Sequence, residues 1–525
     1  MTDGAYDVIV IGAGANGLVA SARLAQAGRR VLLLEREATP GGQGRLVEFA
    51  PGFRAAPLAA DPGWAPAKIV RALGMTGLDP VGIDTPLSVG IERGRFLTLS
   101  GDPARATAAI GVEAPDDAAR WGEFTRLLRS LSGFLEALYQ APAPDVNMGS
   151  LAEAFRFVSM GRKFRALGRR DMFELLRTLP LSVAELADDW FRWAPLKAAV
   201  AAGGIQDLQQ GPRSGGTGFV LLHHLVGAKA GSVRGRVPWK SGPEAFTGAA
   251  AAAAVRWGVT MRFDAAVARI VVADDAVTGI VLASGEEISA KAVVSTADAA
   301  RTFLDWIDPA WLDPEFVRAL GNIRYRGCTA FVAYALERLP ELPGLSSPEA
   351  LAGVVSFTPD VETLERAADA AKYGAVSERP HVELTVPTVL WPELAPAGRH
   401  LALVRVQYAP YRLSDGATWD AARRDALVRT VTSTIAAYAP GFPSQILHQT
   451  AWSPRDVEEQ FGLREGAPSQ GELGLDQILF MRPVAGWGRH ATPVSGLYWG
   501  GAGTHPGPGI LGGSGWLAAE RLLGR

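Results

Sequence analysis

Residues 6–44 constrain the fold more than any other part of the chain. Asp7-Val8-Ile9-Val10-Ile11 is a short apolar run with β-branched residues, the pattern of a buried parallel strand. Gly12-Ala13-Gly14-Ala15-Asn16-Gly17 follows at once and fits G-x-G-x-x-G. Leu18, Ala22, Leu24 and Ala25 fall near helical spacing, and Gly28 is placed to end that helix. Arg30-Val31-Leu32-Leu33-Leu34 reads as a second buried strand, closed by Glu35.

Each part of this unit has a physical task. Gly12 permits a tight turn out of the strand. Gly14 has no Cβ, so a diphosphate can approach the backbone. Gly17 lets the helix pack closely on the sheet. The helix N-terminus offers free N–H groups and a partial positive charge. Glu35 stands at the spacing of an acid that accepts hydrogen bonds from ribose hydroxyls. A lone G-x-G-x-x-G is weak, but strand, helix and acid in their expected places make it strong. Arg36 follows Glu35, and Gly41-Gly42-Gln43-Gly44 arrives shortly after. An acid-Arg step and then a glycine pair favours FAD over NAD, because the longer cofactor needs a second glycine-rich segment to pass.

Bulk properties set limits. A length of 525 residues suits two or three domains, or one cofactor domain interleaved with a second. A net charge of −2 argues against nucleic acid as a partner. The single cysteine, Cys328, excludes an internal disulfide and any Cys-based metal cluster, and fits a reducing, cytoplasmic compartment. The first strand begins too early to leave room for a signal peptide. No run reaches the roughly 18 apolar residues that cross a bilayer.

Further along, 87–91 and 95–99 read as paired strands around Gly94, and 103–202 as mostly helical. Residues 155–170 mix Phe155, Val158, Phe164 and Leu167 with Arg156, Arg162, Lys163, Arg165, Arg169 and Arg170. Peripheral membrane contact by a basic amphipathic helix is one reading; a surface helix with one core face is the expectation. His223 and His224 sit in an apolar helical run and point about 100° apart, which suits packing better than joint metal ligation. Ser241 is a candidate cap for a helix with Pro243 and Glu244 in its first turn. Residues 277–282 and 287–288 read as a hairpin, and 292–296 as a separate buried strand. Residues 330–336, 382–386 and 400–407 suggest an antiparallel sheet, with a helix over 420–437. Near the C-terminus, a strand at 497–500 leads through glycine-rich 501–515 into a helix at 516–523. Gly501, Gly503, Gly512 and Gly513 are the positions expected to bring this second helix N-terminus to the flavin pyrimidine edge.

With these motifs in place, the chain resembles the phytoene-desaturase-like FAD oxidoreductases, a group that includes carotenoid isomerases and retinol saturases. The markers begin with 11–18 and Pro51-Gly52-Phe53. They continue with Asp189-Trp190-Phe191, the run at 220–224, Gln407-Tyr408-Ala409-Pro410-Tyr411, Arg482-Pro483 and 503–509. The resemblance implies non-covalent FAD, a Rossmann-like α/β domain assembled from three chain segments, and an interleaved α+β substrate domain with an apolar cavity. It implies that Val267 meets the adenine through its backbone. Three places depart from the family pattern: Gln43-Gly44-Arg45, Trp239-Lys240-Ser241-Gly242-Pro243, and Pro508 where a further glycine is common.

The expected division is 1–80, 203–300 and 476–525 for the cofactor domain, with 81–202 and 301–475 for the substrate domain. The expected activity is oxidation or desaturation of a largely apolar small molecule by hydride transfer to flavin N5. Non-redox double-bond isomerisation and a flavin-loaded binding protein stand as alternatives. His505 and Lys240 are the polar side chains expected nearest the ring. Substrate, electron acceptor and oligomeric state are not legible in the sequence.

Overall fold

The computed structural model describes residues 6–59, 63–91, 94–144, 151–229, 231–234, 237–345 and 347–524. Two seven-stranded sheets organise the chain. The first has a parallel centre. Val31–Leu34 lies between Thr260–Arg262 and Tyr6–Ile11, and Tyr6–Ile11 pairs in turn with Glu287–Ser295. Leu497–Trp499 completes the parallel part beside 293–295. Three distant stretches of chain therefore build one Rossmann-like sheet.

Residues 287–295 form one continuous strand, not the hairpin arm and separate strand expected from the sequence. Its first residues pair antiparallel with Ala276–Leu282, and its last pair parallel with Tyr6–Ile11. Because the strand twists from one neighbour to the next, its polar first half resembles a solvent-facing hairpin while its apolar second half is core.

Side chains alternate across this sheet. Val8, Val10, Val31 and Leu33 pack under the helices Ala15–Gln26, Ala245–Arg256 and Gly513–Leu522. Ile9, Ile11, Leu32 and Leu34 pack on the other face with Phe303, Phe316 and Trp499. A parallel strand buried on both faces has to be apolar throughout, and each fully buried aliphatic side chain stabilises the fold by about 1.5–3 kcal/mol. The helices approach closely at glycines. A Cβ on Gly17 would stand 1.8 Å from the Gly12 carbonyl oxygen, and one on Gly515 1.9 Å from that of Asn16.

The second sheet runs Ile446–Trp452, Thr329–Leu336, His400–Gln407, His381–Thr385, Val354–Ser356, Leu87–Gly90, Phe96–Leu99. It is antiparallel except between 354–356 and 87–89. Along Thr329–Leu336, Ala330, Val332, Tyr334 and Leu336 face the helix Ala421–Ala436, whose Leu427, Val431 and Ile435 meet them. Phe331 and Ala333 face the opposite way.

A helical layer from Pro103–Gly111 to Thr217–His224 packs on the edge carrying Leu87, Val89, Leu97 and Leu99. Within it, Leu151–Ala166 is the expected surface helix: Phe164 and the following Leu167 pack inward, while Phe155 is 78% and Val158 59% exposed. No described helix is long and apolar enough to cross a membrane.

Ser241 does not cap the helix Ala245–Arg256. Glu244 occupies the cap position, and the Ser241 hydroxyl instead donates to the Gly77 carbonyl at 2.9 Å. The chain between Trp239 and Glu244 is a separate turn tied to the neighbouring 77–81 segment, which takes Ser241 out of helical reach.

Candidate active site

Between the two sheets, above the strand ends of the parallel one, lies a cavity of about 580 Å3. Its floor is the first glycine turn. Gly12 leaves the strand Tyr6–Ile11 at φ +98°, and a Cβ there would meet Thr296 Oγ1 at 2.6 Å. Gly14, Ala15 and Asn16 line the cavity beside it. The second glycine segment, Gly41, Gly42, Gln43 and Gly44, closes over the first. Gly42 has φ +56°, and its Cβ would come 2.9 Å from Gly14 Cα, so a side chain at 42 would have to push the first turn away.

Glu35 lines the same wall and is 8% exposed. Its two carboxylate oxygens accept backbone N–H groups from Ala13 (2.6 Å) and Glu37 (3.1 Å). Arg36 and Val267 complete this end. Two helix N-termini open onto the cavity with glycine, and so no capping side chain, at the cap: Gly14 for Ala15–Gln26 and Gly512 for Gly513–Leu522, whose Gly515 N–H donates to Asn16 Oδ1 at 3.2 Å. Unsatisfied N–H groups at a helix start attract anions.

Several expected residues lie elsewhere. Ala13 stands behind the turn, where only its N–H matters, and Gly17 is a helix-packing glycine. Gly501 and Gly503 sit one layer back: Cβ atoms there would strike Gln470, at 2.5 Å from Oε1 and 2.8 Å from the carbonyl oxygen. Gly513 faces Ile510 and Pro506, not the cavity. Two corrections concern side chains. Lys240 is exposed on the outer surface, because the turn that holds Trp239 inward throws the next residue out. His505 is fully buried behind the wall, where its Nε2 donates to the Ala141 carbonyl at 3.0 Å and burial lowers its pKa to about 4. Neither reaches the cavity.

Of the residues that depart from the family pattern, Gln43, Gly44, Arg45, Trp239, Pro243 and Pro508 are in the wall, and Lys240, Ser241 and Gly242 are not. The far end was not legible in the sequence. There the second sheet presents Phe331 and Arg405, directly paired across strands, and the helical layer presents Val226 and His224. His223 is buried between them and Tyr139, whose hydroxyl it meets at 2.8 Å through Nδ1; its Nε2 donates to the Pro508 carbonyl. Trp64 lies under the final glycine turn, and a Cβ on Gly227 would strike its ring.

A glycine cradle with an acid at the ends of a parallel sheet, facing a cavity roofed by a second sheet, defines a dinucleotide-cofactor oxidoreductase of the two-sheet type. The chain belongs to the flavin containing amine oxidoreductase family, whose model matches residues 64–523, while residues 10–60 match an NAD(P)-binding Rossmann-like domain. It is an FAD-dependent oxidoreductase.

The chain is 31% identical to pyridine nucleotide-disulfide oxidoreductase domain-containing protein 2 of Rattus norvegicus, over 98% of this chain and 93% of that one. It is 26% identical to a limonene dehydrogenase subunit of Castellaniella defragrans, over 98% and 94%. It is 24% identical to a lycopene-forming phytoene desaturase of Paracoccus, over 99% and 97%. The resemblance read from the motifs is thereby borne out.

Proposed function

We propose that the chain oxidises or desaturates a largely apolar small molecule, with hydride passing from a substrate C–H bond. One observation carries this reading: Trp64, Val226 and Phe331 line the same cavity as the glycine cradle, so an apolar compartment adjoins the cofactor end. Relatives named as a limonene dehydrogenase subunit and a phytoene desaturase support it. Bound FAD supplies a hydride acceptor at N5. The protein's own residues bind, orient and exclude water. Gly12, Gly14 and Gly42 leave room for the diphosphate, the helix start at Gly14 faces its charge, and the helix start at Gly512 is assigned to the flavin pyrimidine edge. Glu35 keeps lone pairs for ribose hydroxyls beyond the two N–H groups it already accepts. The Val267 backbone is the contact assigned to adenine. Phe331 and Trp64 hold the reacting carbon in a dry setting, where orientation lowers the barrier.

Glu35→Ala is expected to weaken FAD affinity by roughly 10- to 100-fold, the equivalent of about 1.5–3 kcal/mol for hydrogen bonds to a carboxylate. The same variant strands the buried Ala13 N–H, so Glu35→Gln, which keeps an acceptor there, should lose less. Fluorescence titration of the apoprotein with FAD measures both. Equal affinity of Glu35→Ala and the parent protein would remove Glu35 from the ribose site.

The activity is tested by anaerobic mixing with a panel of terpenes, isoprenoids and long-chain alkyl compounds. Bleaching of the flavin by an apolar member is the expected result. Product formed without bleaching and without an electron acceptor would mean isomerisation instead.

A further inference from the structure

The far end of the cavity is not uniformly apolar. Gln206, Asp207, His224, Arg234 and Arg405 all reach it, beside Phe331. Arg405 projects from the otherwise apolar strand His400–Gln407, and its Nη2 lies 2.7 Å from Asp207 Oδ1. That carboxylate oxygen also accepts from the Thr329 hydroxyl at 3.0 Å. Arg234 forms a buried ion pair with Glu383, and Glu383 stands directly across from Arg405 in the sheet. His381 Nε2 is 3.3 Å from Glu383. Glu383 lies behind the wall. Each guanidinium at the cavity surface is thus matched by a carboxylate, Arg405 by Asp207 and Arg234 by Glu383.

His224 adds a second observation. Its Nε2 is buried without a hydrogen-bond partner. Burial first, and then the charges of Arg405 and Arg234, hold its pKa near 3, so the imidazole stays neutral. A hydrocarbon filling this space would strip water from Arg405, Asp207 and His224 and return no hydrogen bonds. A carboxylate would accept from a guanidinium fork and from the His224 ring nitrogen.

We propose that this end of the cavity recognises a carboxylate, and that the substrate is an apolar acid whose chain lies along Phe331 and Trp64. The proposal rests on the reading of the cavity as the substrate compartment. It extends that reading by assigning a head group. Arg405 and Arg234 bind the head group, Asp207 fixes the Arg405 fork, and His224 contributes its unused ring nitrogen.

The test is equilibrium binding to the FAD-loaded protein, by perturbation of flavin absorbance and by calorimetry, with no turnover required. Three ten-carbon probes differ only at the head: decanoate, 1-decanol and decylamine, the last cationic at neutral pH. Decanoate is expected to bind at least about tenfold more tightly than decanol, and decylamine more weakly than either. The double variant Arg405→Met/Asp207→Asn removes one charge of each sign and should bring decanoate within about threefold of decanol. The head-group series on the parent protein stands by itself if that variant does not fold. Equal binding of all three, a preference for decylamine, or a decanoate preference that survives in the folded double variant would show a structural ion network only and overturn the assignment. Binding of none of the three overturns both this assignment and the apolar-compartment reading beneath it.

Discussion

Gly512→Val is expected to fold and to purify nearly free of flavin. Gly512 caps the helix Gly513–Leu522 at φ +71°, a conformation in which a β-branched residue is strained by about 1–2 kcal/mol. A Cβ there would stand 2.5 Å from Val19 Cγ2 and 3.3 Å from Phe246 Cζ. Val19 is fully buried in the helix that follows the first glycine turn, and Phe246 begins the helix Ala245–Arg256. A side chain at 512 must therefore push apart all three helices that converge on the cofactor end. Overpacking of this kind costs about 1–3 kcal/mol more. Both costs fall on the wall of the cavity and not on the far sheet, so the fold survives while the cofactor site does not. We expect flavin content below about a tenth of that of the parent protein and a modestly lowered melting temperature. The ratio of flavin to protein absorbance beside a thermal melt checks this. Gly513→Val provides the contrast. Its side chain would meet the ends of Ile510 and Pro506 and not the helices that carry Val19 and Phe246, so it should lower stability and cost much less flavin than Gly512→Val. A Gly512→Val protein with normal flavin content would show that the helix start does not adjoin the cofactor.

The contrast between these neighbours shows what the sequence could and could not specify. The first glycine turn, Glu35 and the strands around them were legible because each is local: glycine spacing, apolar run and acid follow one another within a single βαβ unit. The sheet built from three stretches was legible for the same reason, since each stretch repeats the buried-strand pattern. Which face of a glycine loop meets the cavity is not local. Gly512 and Gly513 are indistinguishable in sequence, and only the packing of Val19 and Phe246 against one of them separates their roles. His505 drew attention as a histidine in a glycine turn, yet the turn of backbone that places Pro508 at the wall puts His505 behind it. The far end depends on Asp207, His224, Arg234 and Arg405, which are scattered between positions 207 and 405 and meet only in the folded chain. One signal was available. Arg405 and Glu383 interrupt apolar strands, and a charge in such a strand has to find a partner or a cavity.

Arg482 follows the same logic, and its replacement should have the largest effect on stability. Its side chain is 1% exposed, and its five hydrogen bonds all go to carbonyl oxygens: Ser469, Gly471, Gln477 and, twice, Ala502. The guanidinium thus ties the 469–477 segment to the final glycine loop, whose Ala502 and Gly507 line the cavity. Burial lowers its pKa to about 10, which still leaves it charged at neutral pH. Arg482→Met keeps much of the volume but leaves four buried carbonyl groups without this donor. At about 1–3 kcal/mol for each stranded group, partly recovered by relaxation, a loss of about 3–5 kcal/mol is expected. A position 3.9 Å from the Arg482 Nε, where a Cβ on Gly507 would lie, borders the cavity, so the variant also removes a buried positive charge from beneath the cofactor. Whatever flavin remains should be harder to reduce, because negative charge gained on reduction loses a buried cation close to the cavity wall. Arg482→Lys separates the two effects: it keeps the charge but not the fork of donors, and should lose stability while retaining more of the potential. Denaturant unfolding and spectroelectrochemical titration of the two variants measure this. A Met variant as stable as the parent protein would mean that the loop holds its shape without the clamp, and an unchanged potential in that variant would place the cation too far from the ring to matter.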